Sequence, residues 1–478
     1  MRGAFFRPSL TASRQRQALR HRITATLAAV CSMCGAGNAW GASIGFQPTD
    51  FGGSPIVIGA GARSLGMGGA FVAIADDATA NTWNPAGMTQ LDAPEVALSC
   101  GFYSRRSQRD GGDSSDQRVD LDHLSGVYPF HAFGFQQMVG IAWQRQYDFT
   151  FAQDFASGST TGGVVTSVQS EQIDVRQRGA FSSLSISYAV EPLRGLSFGI
   201  TGHAWSDRLT QHSGYRKDFT DTIETTSTLT SNGTLIGRNR TVYHATDEIE
   251  VNGGYSVNLG VWWQALPSLT VGITWKPRYT LHITDRFSST QVDTDLFGSG
   301  GTTVQPSQYA SDDARMTFPT SAALGTAWRL NDLQTIACDV TWTRWREYAV
   351  DRAGVRRSPI SPFVPSADFK DTLAIRLGYE HILILPGVVL VPRCGALYEA
   401  IPGITQAPST TQINQVGATT DKYYGVTAGL SAFQRTVIYD VAGQFRYGSG
   451  VGSGSEASPT ATANVTSITI RAGVAVQF

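Results

Sequence analysis

The last twelve residues of the chain, Ser467-Ile-Thr-Ile-Arg-Ala-Gly-Val-Ala-Val-Gln-Phe478, alternate between apolar side chains and polar or small ones. Successive side chains of a β-strand point to opposite faces, so Ile468 and Ile470 share one face while Thr469 and Arg471 share the other. A long strand with one apolar and one polar face suits a position between lipid and a water-filled lumen. The stretch therefore predicts the last strand of a transmembrane β-barrel.

The same two-residue periodicity recurs along the chain. It identifies fourteen segments, which start near Pro94, Val119, Gln137, Gly179, Leu196, Val251, Leu269, Arg315, Leu333, Phe369, Val388, Tyr423, Thr436 and Ser467. Short and long connections alternate between them, which is typical of an outer-membrane barrel with tight periplasmic turns and longer extracellular loops. The predicted fold is all-β: a 14-stranded antiparallel transmembrane barrel over residues 94–478.

The composition agrees with this fold class and excludes others. Charged residues make up 16% of the 478 residues, against about 25% in an ordinary soluble domain. No run of apolar residues after Cys34 is long enough for a membrane-spanning helix, which excludes a polytopic helical membrane protein. Long basic or acidic tracts are also missing, so we expect no nucleic-acid partner.

The first 39 residues have the features of a secretory signal peptide. Six arginines and no acidic residue fall within residues 1–22, an apolar stretch follows over residues 23–34, and small residues lead to Ala39. This order predicts cleavage near Ala39 and export to the outer membrane of a Gram-negative bacterium. The remaining cysteines, Cys100, Cys338 and Cys394, are too few and too scattered for a disulfide framework or a zinc site. We expect no metal, no cofactor and no enzymatic activity, because no catalytic motif is present.

Alternation also predicts which side chains face the lumen. Four arginines and three acidic residues fall on the polar parity: Arg376, Arg393, Arg446, Arg471, Asp339, Glu380 and Asp440. Ile375, Val441 and Ile470 fall on the lipid-facing parity. Two interpretations of the arginines stay open: they form ion pairs in a solvated lumen, or some of them hold a ligand carboxylate in bidentate geometry.

Residues 40–93 lack strand periodicity. A barrel of fourteen strands leaves an opening that side chains alone do not fill, so we predict that this segment is a hatch inside the lumen. Pro85 fixes its own φ and biases Asn84 away from helix, which predicts a fixed turn at Asn84-Pro85-Ala86 that Asn84 closes by a hydrogen bond to the local backbone. Gly87 adds freedom for the chain to reverse direction. Gly66, Gly68 and Gly69 would let the hatch backbone pack closely.

Several motifs, taken in order, resemble the FadL/TodX family of outer-membrane transporters of long-chain fatty acids and other hydrophobic compounds. The hatch signature is matched by Asn84-Pro85-Ala86, which follows the Gly-rich stretch at residues 61–78. Strand motifs of the family are matched by Pro319-Thr320-Ser321, Asp339-Val340-Thr341-Trp342, Arg376-Leu377-Gly378-Tyr379-Glu380 and Tyr398-Glu399-Ala400-Ile401-Pro402. The resemblance implies a barrel with a hatch, a hydrophobic small-molecule ligand, and release of that ligand sideways into the membrane.

The Gly-rich run Leu65-Gly66-Met67-Gly68-Gly69 also resembles PorV-type barrels, a related branch tied to protein secretion. That resemblance implies an alternative role as a secretion or assembly partner. In either role we expect a monomer in contact with outer-membrane lipid and lipopolysaccharide. Phe478, at the end of an amphipathic last strand, resembles the signal that the barrel-insertion machinery reads.

Overall fold

The computed structural model of the protein describes residues 55–109, 112–210, 213–298, 300–360, 364–406, 416–452 and 462–478. The predicted signal peptide and the first part of the predicted hatch, residues 40–54, lie outside these ranges. Within them, none of the helices has the length and apolar character needed to cross a membrane.

Strands dominate the described ranges. In chain order they are β1 (Ile56–Val57), β2 (Glu95–Arg109), β3 (Gly112–Ala132), β4 (Phe135–Asp148), β5 (Phe151–Thr161), β6 (Val165–Leu193), β7 (Leu196–Trp205), β8 (Gly214–Leu229), β9 (Leu235–Leu266), β10 (Leu269–Lys276), β11 (Tyr279–Asp295), β12 (Thr302–Val304), β13 (Gln308–Phe318), β14 (Ser321–Asn331), β15 (Gln334–Thr343), β16 (Ala349–Arg352), β17 (Val355–Arg357), β18 (Thr372–His381), β19 (Leu383–Leu385), β20 (Val388–Gln406), β21 (Val416–Gln434), β22 (Val437–Gly452) and β23 (Thr462–Gln477). The helices are short: α1 (Ala62–Gly66), α2 (Ala80–Trp83), α3 (Asp207–Thr210), and 3₁₀ turns at Pro85–Gln90, Trp345–Glu347 and Ser366–Asp368.

Fourteen strands close into one antiparallel barrel, which confirms the predicted fold class. Their order is β2, β3, β4, β6, β7, β9, β10, β14, β15, β18, β20, β21, β22, β23. The last strand pairs with the first, from Glu95↔Gln477 to Gln108↔Asn464, so the sheet has no free edge along the barrel wall. A closed barrel satisfies the backbone hydrogen bonds that lipid cannot.

Side-chain exposure follows the predicted parity. Ile375, Val441 and Ile470 lie on the outer surface, and Ile470 is 46% exposed. The neighbouring Arg471 is 3% exposed and lies on the inner face. The apolar side chains of the outer face are therefore available to lipid.

The orientation of β23 can be tested by moving one charge by one residue. We expect Ile470→Arg to destabilise the barrel by about 2–4 kcal/mol, because it puts a guanidinium into the hydrocarbon region. Thr469→Arg, on the lumenal parity, should cost less than about 1 kcal/mol, since the charge stays in water. Urea unfolding of the two variants measures the difference. Equal losses of stability would show that the register is wrong.

The eighth barrel strand is β14, which starts at Ser321, so the predicted start near Arg315 is wrong. Arg315 lies in β13, which pairs with β11 and β16 rather than with β10. Pro319 follows β13 and has no N–H to donate, so the run of alternation that spans it is split between two strands.

The predicted long connections are also not loops throughout. Beyond the barrel, β6 continues over residues 165–179 and β9 over residues 235–251, and they pair with β5, β8 and β11. We call this sheet, formed by those two stretches with β5, β8, β11, β12 and β13, the arm. The strands of the arm show little alternation between apolar and polar residues, because both faces of much of this sheet are polar, rich in Thr and exposed to water.

Residues 55–94, here the N-terminal segment, contact wall residues of the lumenal parity such as Asp339 and Thr427. The segment hydrogen-bonds or packs against each of the fourteen barrel strands in turn. Met67, Phe71 and Met88 are fully buried in this contact, together with small side chains of the wall.

Candidate functional site

Asp339 on β15 anchors the middle of the N-terminal segment. The backbone N–H groups of Phe71 and Val72 donate to Asp339 Oδ2 over 2.7 and 2.8 Å. Asp339 is 1% exposed. Hydrogen bonds to charged acceptors are stronger than those between neutral groups. The Asp339 carboxylate therefore makes the strongest hydrogen bonds between the barrel wall and residues 71–72 of the segment.

Removing this tie should loosen the segment. Asp339→Ala deletes two hydrogen bonds to a charged acceptor, and we expect about a hundredfold faster exchange of the Phe71 and Val72 amide protons. Asp440→Ala is the matched control, because Asp440 bonds to Ser431 of the wall instead. Hydrogen exchange read by mass spectrometry checks both variants. Unchanged protection in Asp339→Ala would show that other contacts hold the segment.

The Asn84-Pro85-Ala86 motif forms the start of a 3₁₀ turn, with Asn84 at its N-cap. Asn84 Oδ1 accepts from the Ala86 N–H over 3.2 Å, and Pro85 opens the turn. The Asn84 side-chain amide also donates to Val72 O and to Val261 O of β9, over 2.9 and 3.0 Å. The motif therefore joins two parts of the segment to the wall.

Gly87 packs closely against another part of the segment. It lies inside the same 3₁₀ turn, and a side chain there would overlap the backbone of Ala75. The glycine is needed for close packing within the segment.

The three glycines Gly66, Gly68 and Gly69 lie against the wall formed by β18, β20 and β21. Thr427 Oγ1 donates to Gly66 O over 2.9 Å. Gly68 and Gly69 have φ of 66° and 81°, a backbone region that glycine adopts without strain. A Cβ on Gly68 would overlap the backbone of Leu377, so close approach to the wall is a second reason for glycine there.

Glycines of the wall meet the segment in the same way, which the sequence did not indicate. A methyl group at any of five strand positions would overlap atoms of the segment: Gly199, Gly260, Gly272, Gly378 and Gly395. The segment therefore packs backbone to backbone against β7, β9, β10, β18 and β20.

Among the residues that the structure describes, an outer and an inner cavity border the N-terminal segment. The first, the outer cavity, has a volume of about 280 Å³ and lies towards the arm, between Trp83 and the aromatic side chains of Tyr279 and Phe318. The second, the inner cavity, has a volume of about 460 Å³ and lies towards the short turns. Residues 61–65 of the segment stand between them.

Aromatic side chains form one wall of the outer cavity. Tyr279 and Phe318 stack at 5.1 Å between ring centroids, and Tyr147 stacks on Phe318 at 4.7 Å. The stack continues into a buried cluster with Trp205 and Phe181. This wall offers planar apolar surface to a ligand.

Positive side chains form the opposite wall. Arg376 and Arg446 share Glu399, at 3.5 and 3.0 Å, and the Arg446 guanidinium stacks over Tyr423 at 4.0 Å. Lys276 also lines this cavity. Alternation places Lys276 on the lumenal parity, but it ends its strand beside Pro277, and the sequence analysis did not single it out.

The other two predicted arginines are committed to the protein itself. Arg393 bonds to Glu380 over 3.0 Å and to Ser431, and it lines neither cavity. Arg471 Nε donates to Asp122 over 3.0 Å and Nη1 donates to Gly61 O over 3.1 Å. Arg393 and Arg471 therefore fit the ion-pair interpretation, although Arg471 also lines the outer cavity beside Arg376 and Arg446.

Acidic side chains dominate the inner cavity. Asp76, Asp77, Glu95 and Glu380 line it together with Arg63, which bonds to Asp76 over 2.5 Å. Burial raises the pKa of Asp77 to about 7, although nearby Arg63 acts in the opposite direction. The inner cavity is thus mainly acidic, whereas the outer cavity has one aromatic wall and one positively charged wall.

The barrel wall is split between β3 and β4 beside the outer cavity. Among the described residues, the two strands pair from Ala132↔Phe135 to His123↔Gln144 and no further. A bulge interrupts the pairing of β4 with β6 between Arg145 and Tyr147, and bulges bend the strand that carries them. On its free side β4 pairs instead with β1 of the N-terminal segment.

Ion pairs bridge this split. From β3, Arg118 reaches Asp148 of β4, and from β4, Arg145 reaches Asp120 over 2.8 Å. Asp122, held by Arg471, lies 3.6 Å from Arg145. These side chains hold two strands together where backbone hydrogen bonds do not.

Asp122 faces inward because β3 has a register shift beside it, opposite Ser99 and Cys100. As a result Asp122 and His123 are both fully buried, although alternation puts them on opposite faces. A strict two-residue alternation therefore does not predict that both Asp122 and His123 are buried. Among the described residues, no group of three or more His, Cys, Asp or Glu side chains could hold a metal ion.

Residues 59–402 match the profile of a family described as outer membrane protein transport protein (OMPP1/FadL/TodX). Among solved structures, a Pseudomonas aeruginosa FadL homologue is 13% identical, with a TM-score of 0.52 over 90% of this chain and 100% of that one. A deltaS2S3 mutant of the monoaromatic hydrocarbon channel TodX is 15% identical, with a TM-score of 0.51 over 88% and 98% of the two chains. The monoaromatic hydrocarbon channel CymD is 15% identical, with a TM-score of 0.49 over 89% and 99%. A search of curated protein sequences gives no match.

Proposed function

This chain belongs to the family of outer membrane transport proteins OMPP1/FadL/TodX, and from that premise we propose that it takes up hydrophobic small molecules through the outer membrane. The observation that carries the proposal is the outer cavity, a space with one aromatic wall that is closed on one side by the N-terminal segment and adjoins the split between β3 and β4. In this reading the chain is a transporter and has no catalytic role.

The route we propose runs through the outer cavity and leaves sideways. Apolar solutes gain about 0.8 kcal/mol for each CH₂ removed from water, so a path from an aromatic cavity into lipid is favourable along its length. Ile56 and Val57 of β1 line the cavity at the split, and Val57 is 56% exposed. The polar inner cavity offers no such gain.

The N-terminal segment acts as the hatch in this proposal. Its contacts with every strand close the lumen below the outer cavity, and Asp339, Asn84 and the glycines Gly66, Gly68 and Gly69 fix its position. Movement of β1 away from β4 would open the split without displacing the rest of the segment, since β1 contributes only two paired residues.

The proposal includes export by the signal peptide at residues 1–39 and insertion into the membrane that is signalled by Phe478. It also includes a monomeric protein in contact with lipid and lipopolysaccharide. The aliphatic outer face and the closed sheet support contact with lipid.

Arg376, Arg446 and Lys276 give the outer cavity a polar end that suits a carboxylate. If the ligand is a fatty carboxylate, Arg446→Gln and Lys276→Gln should each weaken binding of palmitate by about tenfold or more, because each removes a charged hydrogen-bond donor. Binding of hexadecane should not change. Competition against a fluorescent ligand, with the purified protein in detergent, measures both.

Thr469→Gln, in the same cavity without a change of charge, is the matched control for these variants. Equal loss of palmitate and hexadecane binding would show that the basic residues shape the cavity only. If the Arg446 and Lys276 variants bind palmitate and hexadecane as well as the intact protein does, the ligand binds elsewhere.

A further inference from the structure

The end of the arm farthest from the barrel exposes a set of apolar side chains. They lie on three neighbouring hairpin turns: Val164, Leu235, Ile236, Leu296, Phe297 and Val304, here called the tip. Val164 is 84% exposed and Val304 is 65% exposed. Transport through the barrel does not account for apolar residues at this distance from the cavity.

The tip is held well away from the membrane by continuous sheet. Beyond the barrel, β6 pairs with β8 from Gly179↔Tyr215 to Val165↔Leu229, a length of about 50 Å at 3.3 Å per residue. The three turns are tied together by Thr230 N–H, which donates to Val164 O over 3.1 Å, and by Leu296 N–H, which donates to Arg238 O over 2.7 Å. The exposed side chains therefore form one patch on a stiff support.

Charge is absent from the tip and frequent just below it. No charged residue occurs in residues 155–170, 225–237 or 296–311. Arg238 and Asp295 border these stretches directly, and the same strands carry Asp174, Arg176, Glu224, Arg240 and Asp247 closer to the barrel. On β8 and β9 the boundary between the two zones lies between the pair Thr226↔Arg238 and the pair Glu224↔Arg240.

This combination identifies the kind of surface that the tip fits. Anionic surfaces such as lipopolysaccharide attract clusters of Lys and Arg, and the tip has none. Protein interfaces are enriched in Tyr, Trp and Arg, whereas the tip is aliphatic with one aromatic residue. Aliphatic and Phe side chains on an uncharged, glycine-rich support match an uncharged apolar phase, which needs no shape complementarity.

We propose that the tip docks onto the surface of a dispersed apolar liquid, such as an oil droplet, and brings that source of ligand to the outer membrane. The proposal rests on the proposed function for its purpose, because it supplies the hydrophobic compound that the barrel takes up. The docking itself needs only the tip.

Co-flotation tests the docking directly. The full protein in nanodiscs is mixed with a hexadecane emulsion stabilised by a non-ionic surfactant, and the protein carried into the floating layer is measured. We expect strong co-flotation of the intact protein, little affected by high salt because no charges take part. Replacing all six tip residues by Ser should reduce it by about tenfold or more, since it removes the apolar area that drives adsorption.

A matched control replaces three exposed apolar residues off the tip: Leu209→Ser, Tyr309→Ser and Val355→Ser. It should float like the intact protein. The double variant Leu296→Ser/Phe297→Ser, which changes one turn only, gives a partial loss and guards against misfolding of the sixfold variant. Equal co-flotation of intact and sixfold variants overturns the proposal, as does tip-dependent association of nanodiscs without oil, which would identify a second copy as the occupant.

Uptake assays separate this proposal from the proposed function. With ligand supplied as dissolved monomer, the tip variant should take it up at the normal rate, and only uptake from droplets should fall. A protein that floats with oil but carries no ligand would contradict the transport role and leave the docking in place.

Discussion

Deleting residues 43–88 is expected to turn an electrically silent barrel into one that conducts ions. The N-terminal segment contacts all fourteen strands and separates the outer from the inner cavity. A barrel of this size without its filling leaves an open lumen. Single-channel recording in planar bilayers should show steady conductance for the deletion variant and none for the intact protein.

A matched deletion in the arm controls for disturbance of the fold. Removing residues 297–302 shortens one hairpin outside the barrel and should leave the protein silent. Heat-modifiable migration on gels establishes that both variants insert as closed barrels. A deletion of residues 43–88 that inserts and stays silent would show that the segment does not seal the lumen.

Cross-linking β3 to β4 across the split is expected to abolish uptake of ligand. Asp120→Cys and Arg145→Cys place thiols where an ion pair now bridges the two strands. A short bifunctional thiol reagent then replaces a breakable contact by a covalent one, in a background with Cys100, Cys338 and Cys394 changed to Ala. Uptake by cells before and after the reagent measures the effect.

The control pair joins strands that are already hydrogen-bonded. Gln334 and His381 pair directly on β15 and β18 and line neither cavity, so cross-linking Gln334→Cys to His381→Cys should leave uptake unchanged. Undiminished uptake through a protein cross-linked between β3 and β4 would contradict exit at the split.

The strand count and the facing of side chains could be predicted because lipid imposes them. A barrel strand with one face in lipid must alternate, and thirteen of the fourteen predicted starts lie in or next to the barrel strand that the structure shows. The eighth failed at Pro319, where alternation continues on both sides of a residue that breaks the ladder. The strands of the arm do not face lipid, so their sequences need not alternate and are not distinguishable from loops by pattern.

The site was less accessible to prediction because bulges and long-range contacts shape it. Alternation found Asp339, Arg376 and Arg446, but not that Asp339 binds Phe71 and Val72, which lie more than 260 residues away. A register shift turns Asp122 inward, and pattern alone does not locate such a shift. The split between β3 and β4 depends on where pairing ends, which only the structure gives.

Uptake of a radiolabelled hydrophobic compound by cells lacking this protein tests the central claim most directly. The compound is offered as dissolved palmitate and as dissolved hexadecane, and secreted proteins are compared in the same cultures. We predict that uptake of at least one compound falls to the background level and returns when the chain is restored, with secreted proteins unchanged. Unchanged uptake of both, together with loss of secreted proteins, would contradict transport and favour the role of the PorV-type barrels.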